Sequence, residues 1–191
     1  NTLALLEGGV AGFAFASGLA AVTAVFSLLK SGEHVVVSDD IYGGTYRQIE
    51  EIWKSFGVEF SYVDVGNVRA VRNAVRENTR MIYLESPTNP MMKVADIAAI
   101  SETAKCCGAY LVVDNTFLTP YFQKPIELGA DIVIHSGTKF LAGPHDTTAG
   151  FVVVNSEQLE KRIGLLLRTE GSGLGPFDSW LLLRGIKTLA L

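Results

Sequence analysis

An alternation of two patterns constrains this chain more than any other feature. Short apolar runs, His34–Val37, Val58–Val63, Met81–Leu84, Tyr110–Val113, Asp131–Ile134 and Phe151–Val154, are separated by longer stretches with helical spacing. The runs are rich in β-branched residues and continuous rather than alternating, as strands are when both faces of a sheet are covered. Between them, Tyr46, Ile49, Trp53 and Phe56 share one helical face, and so do Val94, Ile97, Ala98, Ser101 and Ala104. Another helical pattern runs from Leu19 to Lys30, with Gly32 placed to supply a left-handed cap. This succession predicts an α/β fold, a mostly parallel sheet flanked by helices. The 191 residues amount to about one domain, and a hydrophobic content of 48% is enough for one core.

Charged residues make up 19% of the chain, well mixed, with a net charge of −4 and no basic stripe. Broad electrostatic binding of nucleic acid is excluded on that count, while a local pocket can still take a small anion. No apolar run reaches the roughly 18 residues of a membrane span. Asn1–Leu6 lacks the basic start of a secretory signal, so the cytoplasm is the expected compartment. Cys106 and Cys107 are neighbours without the spaced partners of a metal knuckle; the expectation is two reduced packing residues near a helix end and no metal site. The chain opens at Asn1-Thr2-Leu3 and stops inside the apolar Leu189-Ala190-Leu191, where a domain end is usually polar. A piece of a longer protein is expected.

In open parallel sheets, ligands bind beyond the carboxyl ends of the strands. The polar residues that follow the runs are therefore the candidates for function: Asp39, Asp40 and Tyr42; Glu85, Ser86, Thr88 and Asn89; Asp114, Asn115 and Thr116; His135, Ser136, Thr138 and Lys139. Ser17-Gly18-Leu19 opens the first helical pattern. Ser17 suits an N-cap, Gly18 admits a ligand close to the backbone, and the first-turn N–H groups suit a phosphate. Most Ser-Gly helix starts are nevertheless only caps. Ser136 and Thr138 offer hydroxyls to the same phosphate beside Lys139, and a lysine amine forms a Schiff base when its ammonium form is destabilised. An arbitrary loop lysine is solvated, but one that follows an apolar strand and precedes Phe140 and Leu141 is expected in poorly solvated surroundings. Asp114, at a strand end, is either a turn or cap residue or the acceptor for a protonated pyridine nitrogen, which would make that ring a stronger electron sink. Tyr42 either packs at a turn or stacks on such a ring. Together these residues fill the requirements of one cofactor, pyridoxal phosphate.

Longer stretches carry a resemblance. Phe15-Ala16-Ser17-Gly18-Leu19-Ala20-Ala21, Tyr42-Gly43-Gly44-Thr45-Tyr46-Arg47, Glu85-Ser86-Pro87-Thr88-Asn89-Pro90, Val113-Asp114-Asn115-Thr116-Phe117 and His135-Ser136-Gly137-Thr138-Lys139-Phe140-Leu141 follow one another. Pro176-Phe177-Asp178-Ser179-Trp180 and Leu183-Arg184-Gly185-Ile186-Lys187-Thr188-Leu189 complete the series. Nearly the whole chain resembles the pyridoxal-phosphate enzymes of cysteine and methionine metabolism, the cystathionine lyases, cystathionine γ-synthase and methionine γ-lyase among them. The resemblance implies that residues 1–191 form the large cofactor-binding domain of a fold-type I enzyme, without its N-terminal arm and C-terminal small domain. It implies that Lys139 holds the cofactor covalently and moves protons, and that Tyr42 stacks on the ring and assists. Ser17, Gly18, Leu19, Ser136 and Thr138 would take the phosphate, Asp114 the ring nitrogen, and Asn89 the ring's phenolic oxygen and the substrate carboxylate. The implied substrate is a small sulfur-containing amino acid, and the implied assembly a homotetramer.

The chain departs from the family pattern at Gly143-Pro144-His145-Asp146, where proline restricts the loop, and in the glycine-rich Arg168–Gly175. Gly44 stands where methionine γ-lyases place cysteine, which argues against that subgroup. Elimination from cystathionine at the β- or γ-carbon and γ-replacement on an O-acyl homoserine both stay open, as does a truncated, inactive assembly partner. Ser136-Gly137-Thr138-Lys139 also fits the Ser-x-x-Lys motif of penicillin-interacting enzymes, but their companion motifs are absent. Gly171-Ser172-Gly173-Leu174-Gly175 follows no predicted strand, so a dinucleotide fingerprint fails.

Overall fold

A computed structural model describes residues 2–191; Asn1 lies outside the described residues. The elements in chain order are α1 (Thr2–Glu7), β1 (Ala11–Phe15), α2 (Gly18–Phe26), β2 (His34–Ser38), α3 (Gly43–Gln48), β3 (Glu59–Val63), α4 (Val68–Ala74) and β4 (Thr79–Glu85). They continue with α5 (Ile97–Cys107), β5 (Tyr110–Asp114), α6 (Thr119–Phe122), β6 (Ile132–Ser136), β7 (Gly150–Val154), α7 (Glu157–Glu170) and α8 (Pro176–Ile186). Helices flank a mixed, mostly parallel set of strands, as the alternation predicts.

The chain divides into two compact units. One comprises Leu29–Asp114 and Leu128–Asp131, and its strands run β5-β4-β2-β3, all parallel. Its largest buried side chains are Ile49, Met81, Ile82, Tyr83, Leu84, Ile100 and Leu111. Strand β2 is buried along its whole length, whereas β3 ends the row and is buried only in part. The other unit comprises the segment up to Leu28, Asn115–Glu127 and Ile132–Leu191. There β7 pairs antiparallel with β1 on one side and with β6 on the other. Phe15, Phe26, Ile132, Ile134 and Leu141 are the largest side chains in its core, and Leu182 of α8 packs with Ala142 and Ala149.

Several local expectations are corrected. Strand β1 was not expected, because Ala-Gly-Phe-Ala-Phe carries no β-branched residue; its pairing with β7 supplies what propensity does not. Helix α2 stops at Phe26, capped by Ser27 in the right-handed region. Gly32 does have a φ of +81°, but it serves a turn beyond the helix, where its N–H bonds the Gly57 carbonyl. The face drawn through Tyr46, Ile49, Trp53 and Phe56 breaks because α3 passes into a π-helical turn over Ile49–Trp53 and then a tight turn over Lys54–Phe56. Ile49 and Trp53 are buried, while Tyr46 and Phe56 are exposed. Val94 lies before α5, which starts after the N-cap Asp96, and is exposed, as is Ala98. The buried face is Ile97, Ile100, Ser101, Thr103 and Ala104. Cys106 and Cys107 do end that helix as free thiols, but Cys106 is exposed rather than packed in the core.

Candidate active site

The expected phosphate and lysine residues belong to one unit. Ser17 caps α2 with its hydroxyl, which accepts the Ala20 N–H at 3.1 Å, while the Ala21 N–H bonds the Ser17 carbonyl. The amides of Gly18 and Leu19 form the tip of that first turn, where the helix dipole favours an anion. Gly18 is required by packing: a Cβ there would stand 2.9 Å from the Ser136 Cβ and 3.1 Å from its hydroxyl. The bare α-carbon thus lets the start of α2 lie directly against Ser136 at the end of β6. Gly150 of β7 is required for the same reason, since its Cβ would collide with the Ser17 carbonyl.

Ser136 is held by its N–H, which donates to the Thr116 hydroxyl at 2.8 Å. The Thr138 hydroxyl is engaged with Ala149, donating to its carbonyl at 3.3 Å and accepting its N–H at 3.1 Å. Lys139 opens the short turn Phe140–Ala142, and its N–H donates to the Ser136 carbonyl at 3.3 Å. The poorly solvated setting expected for Lys139 is corrected: Lys139 and Phe140 are both exposed, and only Leu141 turns into the core. The unusual loop after it is anchored to α8, through Asp146 to Arg184 and through the Thr147 hydroxyl to Asp178 at 2.8 Å. His145 adopts a φ of +59° directly after Pro144.

His135 is not an edge residue. It is fully buried, and its Nε2 lies 2.5 Å from the Glu7 Oε1. The same oxygen accepts the Asn115 side-chain amide at 3.0 Å, and Asn115 also bonds Gln123. Glu7, unnoticed in the sequence, thus ties α1 to β6 within the core.

Tyr42, Asn89 and Asp114 belong to the other unit. Tyr42 ends the loop after β2 and is half exposed, offering its ring to a ligand. Its N–H donates to the Glu85 Oε1 at 2.8 Å. Glu85 is the last residue of β4 and stands in register with Asp114, the last residue of β5. Burial first, and then the Asp114 charge, push the Glu85 carboxyl up to about 8; N–H groups from Tyr42 and Asn89 work in the opposite direction. Two residues earlier on the same face, Tyr83 is buried, and burial first, then the Asp114 and Glu85 charges, raise its hydroxyl well above the ordinary phenol range. Glu85 was legible as a polar strand end, but Tyr83 was read only as apolar strand. The loop with Asn89 is stitched to the β2 end: the Thr88 hydroxyl and the Met91 N–H both donate to Asp40, and the Lys93 ammonium pairs with Asp39 at 3.1 Å. Among the described residues, no group of three or more His, Cys, Asp or Glu could hold a metal ion, and no helix is long and apolar enough to cross a membrane.

Within one unit, a helix start lies against a serine hydroxyl with a lysine three residues further on, an arrangement of α/β chains that suits a small anion beside an amine. Comparison with known proteins narrows this. The model of the Cys/Met metabolism PLP-dependent enzymes matches residues 1–191, and the chain belongs to that family. It is 51% identical to a cystathionine gamma-lyase of Bacillus subtilis over 97% of this chain and 49% of that protein. It is 52% identical to a cystathionine beta-lyase of Lactococcus lactis over 99% of this chain and 50% of that protein. A crystal structure of cystathionine gamma-lyase from Lactobacillus plantarum, complexed with L-serine, superposes with a TM-score of 0.97 at 49% identity, covering 98% of this chain and 49% of that one. The chain spans about half the length of the curated relatives it matches. The residues present fit the family's cofactor: the N-terminus of α2, which Gly18 lets lie against Ser136, and the Ser136 hydroxyl suit a phosphate, and the exposed Lys139 amine suits an aldehyde.

Proposed function

We propose that this chain is the cofactor-binding large domain of a pyridoxal-phosphate-dependent trans-sulfuration enzyme that eliminates across a C–S bond of cystathionine. One observation supports this above the others: Gly18 brings the first turn of α2 against Ser136, three residues before Lys139. When bound, the cofactor supplies an electron sink for charge left on the substrate α-carbon. The amides of Gly18 and Leu19, with the Ser17, Ser136 and Thr138 hydroxyls, would bind its phosphate. Asp114 would accept the ring-nitrogen N–H, Tyr42 would cover the ring, and Asn89 would bond the phenolic oxygen and the substrate carboxylate. The Lys139 amine would hold the aldehyde and would take and return the substrate α-proton. The substrate is a small sulfur-containing amino acid, and the whole protein works in the cytoplasm as a homotetramer. A second reading, γ-replacement on an O-acyl homoserine, is favoured by a relative of 49% identity named cystathionine gamma-synthase/O-acetylhomoserine (thiol)-lyase, from Bacillus subtilis.

The full-length protein should turn yellow with pyridoxal phosphate, and borohydride should fix the cofactor to the Lys139 peptide. Lys139→Ala should abolish both. A colourless protein, or absorption unchanged in the variant, refutes the assignment. With cystathionine as substrate, pyruvate reports β-elimination and 2-oxobutyrate γ-elimination. Cystathionine made from cysteine and an O-acyl homoserine reports replacement.

A further inference from the structure

Glu85 is the one charged strand-end residue of the Tyr42 unit to which the function above gives no work, and its placement is costly without a reason. It is 5% exposed, at the end of an apolar strand, with Asp114 in register on the adjacent parallel strand. Two acids side by side at one strand edge repel, and a buried carboxyl needs its lone pairs satisfied. The Glu85 carboxyl meets a backbone amide rather than a cation: it accepts the Tyr42 N–H at 2.8 Å. That amide sits in the loop after β2, whereas Glu85 ends β4. One side chain therefore fixes the backbone that carries the Tyr42 ring, next to the strand of Asp114. Among the described residues, Tyr42 makes no side-chain cap bond to α3, and the Asp40 bonds reach Thr88 and Met91.

We propose that Glu85 is a positioning residue, which sets where the Tyr42 ring stands relative to Asp114 by holding the Tyr42 backbone N–H. This rests on the pyridoxal-phosphate function proposed above. Its raised affinity for a proton agrees with the geometry. A neutral Glu85 accepts the Tyr42 N–H without a second negative charge beside Asp114, so that acid stays available to the ring nitrogen. Asp114, Asp40 and Tyr83 are the titratable groups that bear on Glu85 in this unit.

The test uses Glu85→Leu, which removes both acceptor oxygens, and Glu85→Gln, which keeps one carbonyl oxygen, in the full-length protein. Amide hydrogen exchange on the apo form reads the tether directly. The segment with Tyr42 should exchange faster in the leucine variant, and by less in the glutamine variant. With pyridoxal phosphate, the leucine variant should bind about tenfold more weakly, the cost of a hydrogen bond or two, with the glutamine variant between it and wild type. The circular dichroism of the cofactor band, which reports ring orientation, should fall in the same order. Unchanged exchange at that segment, or unchanged dichroism and affinity in the leucine variant, overturns the positioning role. Failure of the underlying function shows separately, in wild type and Lys139→Ala, as absence of the yellow adduct; the exchange measurement on Glu85 variants still decides the tether.

Discussion

Raising the pH from 5 to 9 should destabilise the apo protein through Glu85, and Glu85→Gln should abolish that loss. The carboxyl is pushed from its ordinary 4.5 up to about 8, by burial first and then by Asp114. In the unfolded chain the same group ionises near its ordinary value. Between those two pH values the native state therefore holds a proton that the unfolded state has lost, and stability falls as pH rises. The contribution is fully present below 4.5, is lost progressively on the way to about 8, and is flat beyond. At about 1.4 kcal/mol per pH unit, the loss comes to at most about 5 kcal/mol. Adjustment by Asp114, which shares the site, brings the expected value to about 3–5 kcal/mol. Glutamine mimics the protonated acid at every pH, so its stability relative to wild type should rise from pH 5 to 9 by the part of that loss that falls above pH 5, about 3–4 kcal/mol. Urea unfolding of both apo proteins at one-unit pH steps measures it. Curves that stay parallel within about 0.5 kcal/mol would refute the raised Glu85, because no other difference between the two chains titrates in that range. Pyridoxal phosphate should shrink the effect, since a protonated ring nitrogen beside Asp114 offsets the charge that holds Glu85 neutral.

Two further outcomes follow from packing and buried polarity. Gly18→Ala forces the start of α2 away from Ser136 and should cost about 1–3 kcal/mol by thermal or chemical unfolding; Gly150→Ala, whose Cβ meets the Ser17 backbone rather than a side chain, should cost more, and the reverse ranking would contradict the close approach. Glu7→Ala leaves His135 and Asn115 buried without their shared acceptor and should cost about 3–5 kcal/mol, whereas Glu7→Gln, which keeps an amide oxygen, should cost about 1–3 kcal/mol; equal losses in the two variants would show that volume, not the polar contacts, sets the cost.

The core strands could be read from the sequence because each is a continuous apolar run, and a buried parallel strand leaves that mark whatever its partners. Strand β1 left none, since its antiparallel place beside β7 tolerates alanine and glycine. Helix positions failed where the period itself changes: the π turn at Ile49–Trp53 adds a residue to the repeat, so positions drawn at a regular spacing rotate off the buried face. The candidate residues around Ser17, Ser136 and Lys139 were legible because a helix start, a strand end and a lysine each carry a local signal. The solvation of Lys139 was not, because Phe140 beside it points outward and the aromatic neighbour in sequence is not one in space.

Register explains why Glu85 was named as a polar strand end while its work went unseen. Its place beside Asp114 exists only because β4 and β5 pair Glu85 with Asp114; a slip of one residue would set it beside Val113 and turn the strand's faces over. Nothing local to either strand states that register. The Glu7–His135 contact is harder still, since its partners are 128 residues apart and one of them sits in a six-residue helix without pattern. Yet a warning was present in both cases. His135 and Glu85 end or interrupt strands whose other residues are apolar, and a buried ionisable group there obliges the fold to supply a partner. The productive question for such a residue is which distant group completes it. For Glu85 that group is the backbone amide of Tyr42 in the loop after β2, so the residue whose burial needs a partner also holds the backbone of a side chain proposed to meet the cofactor.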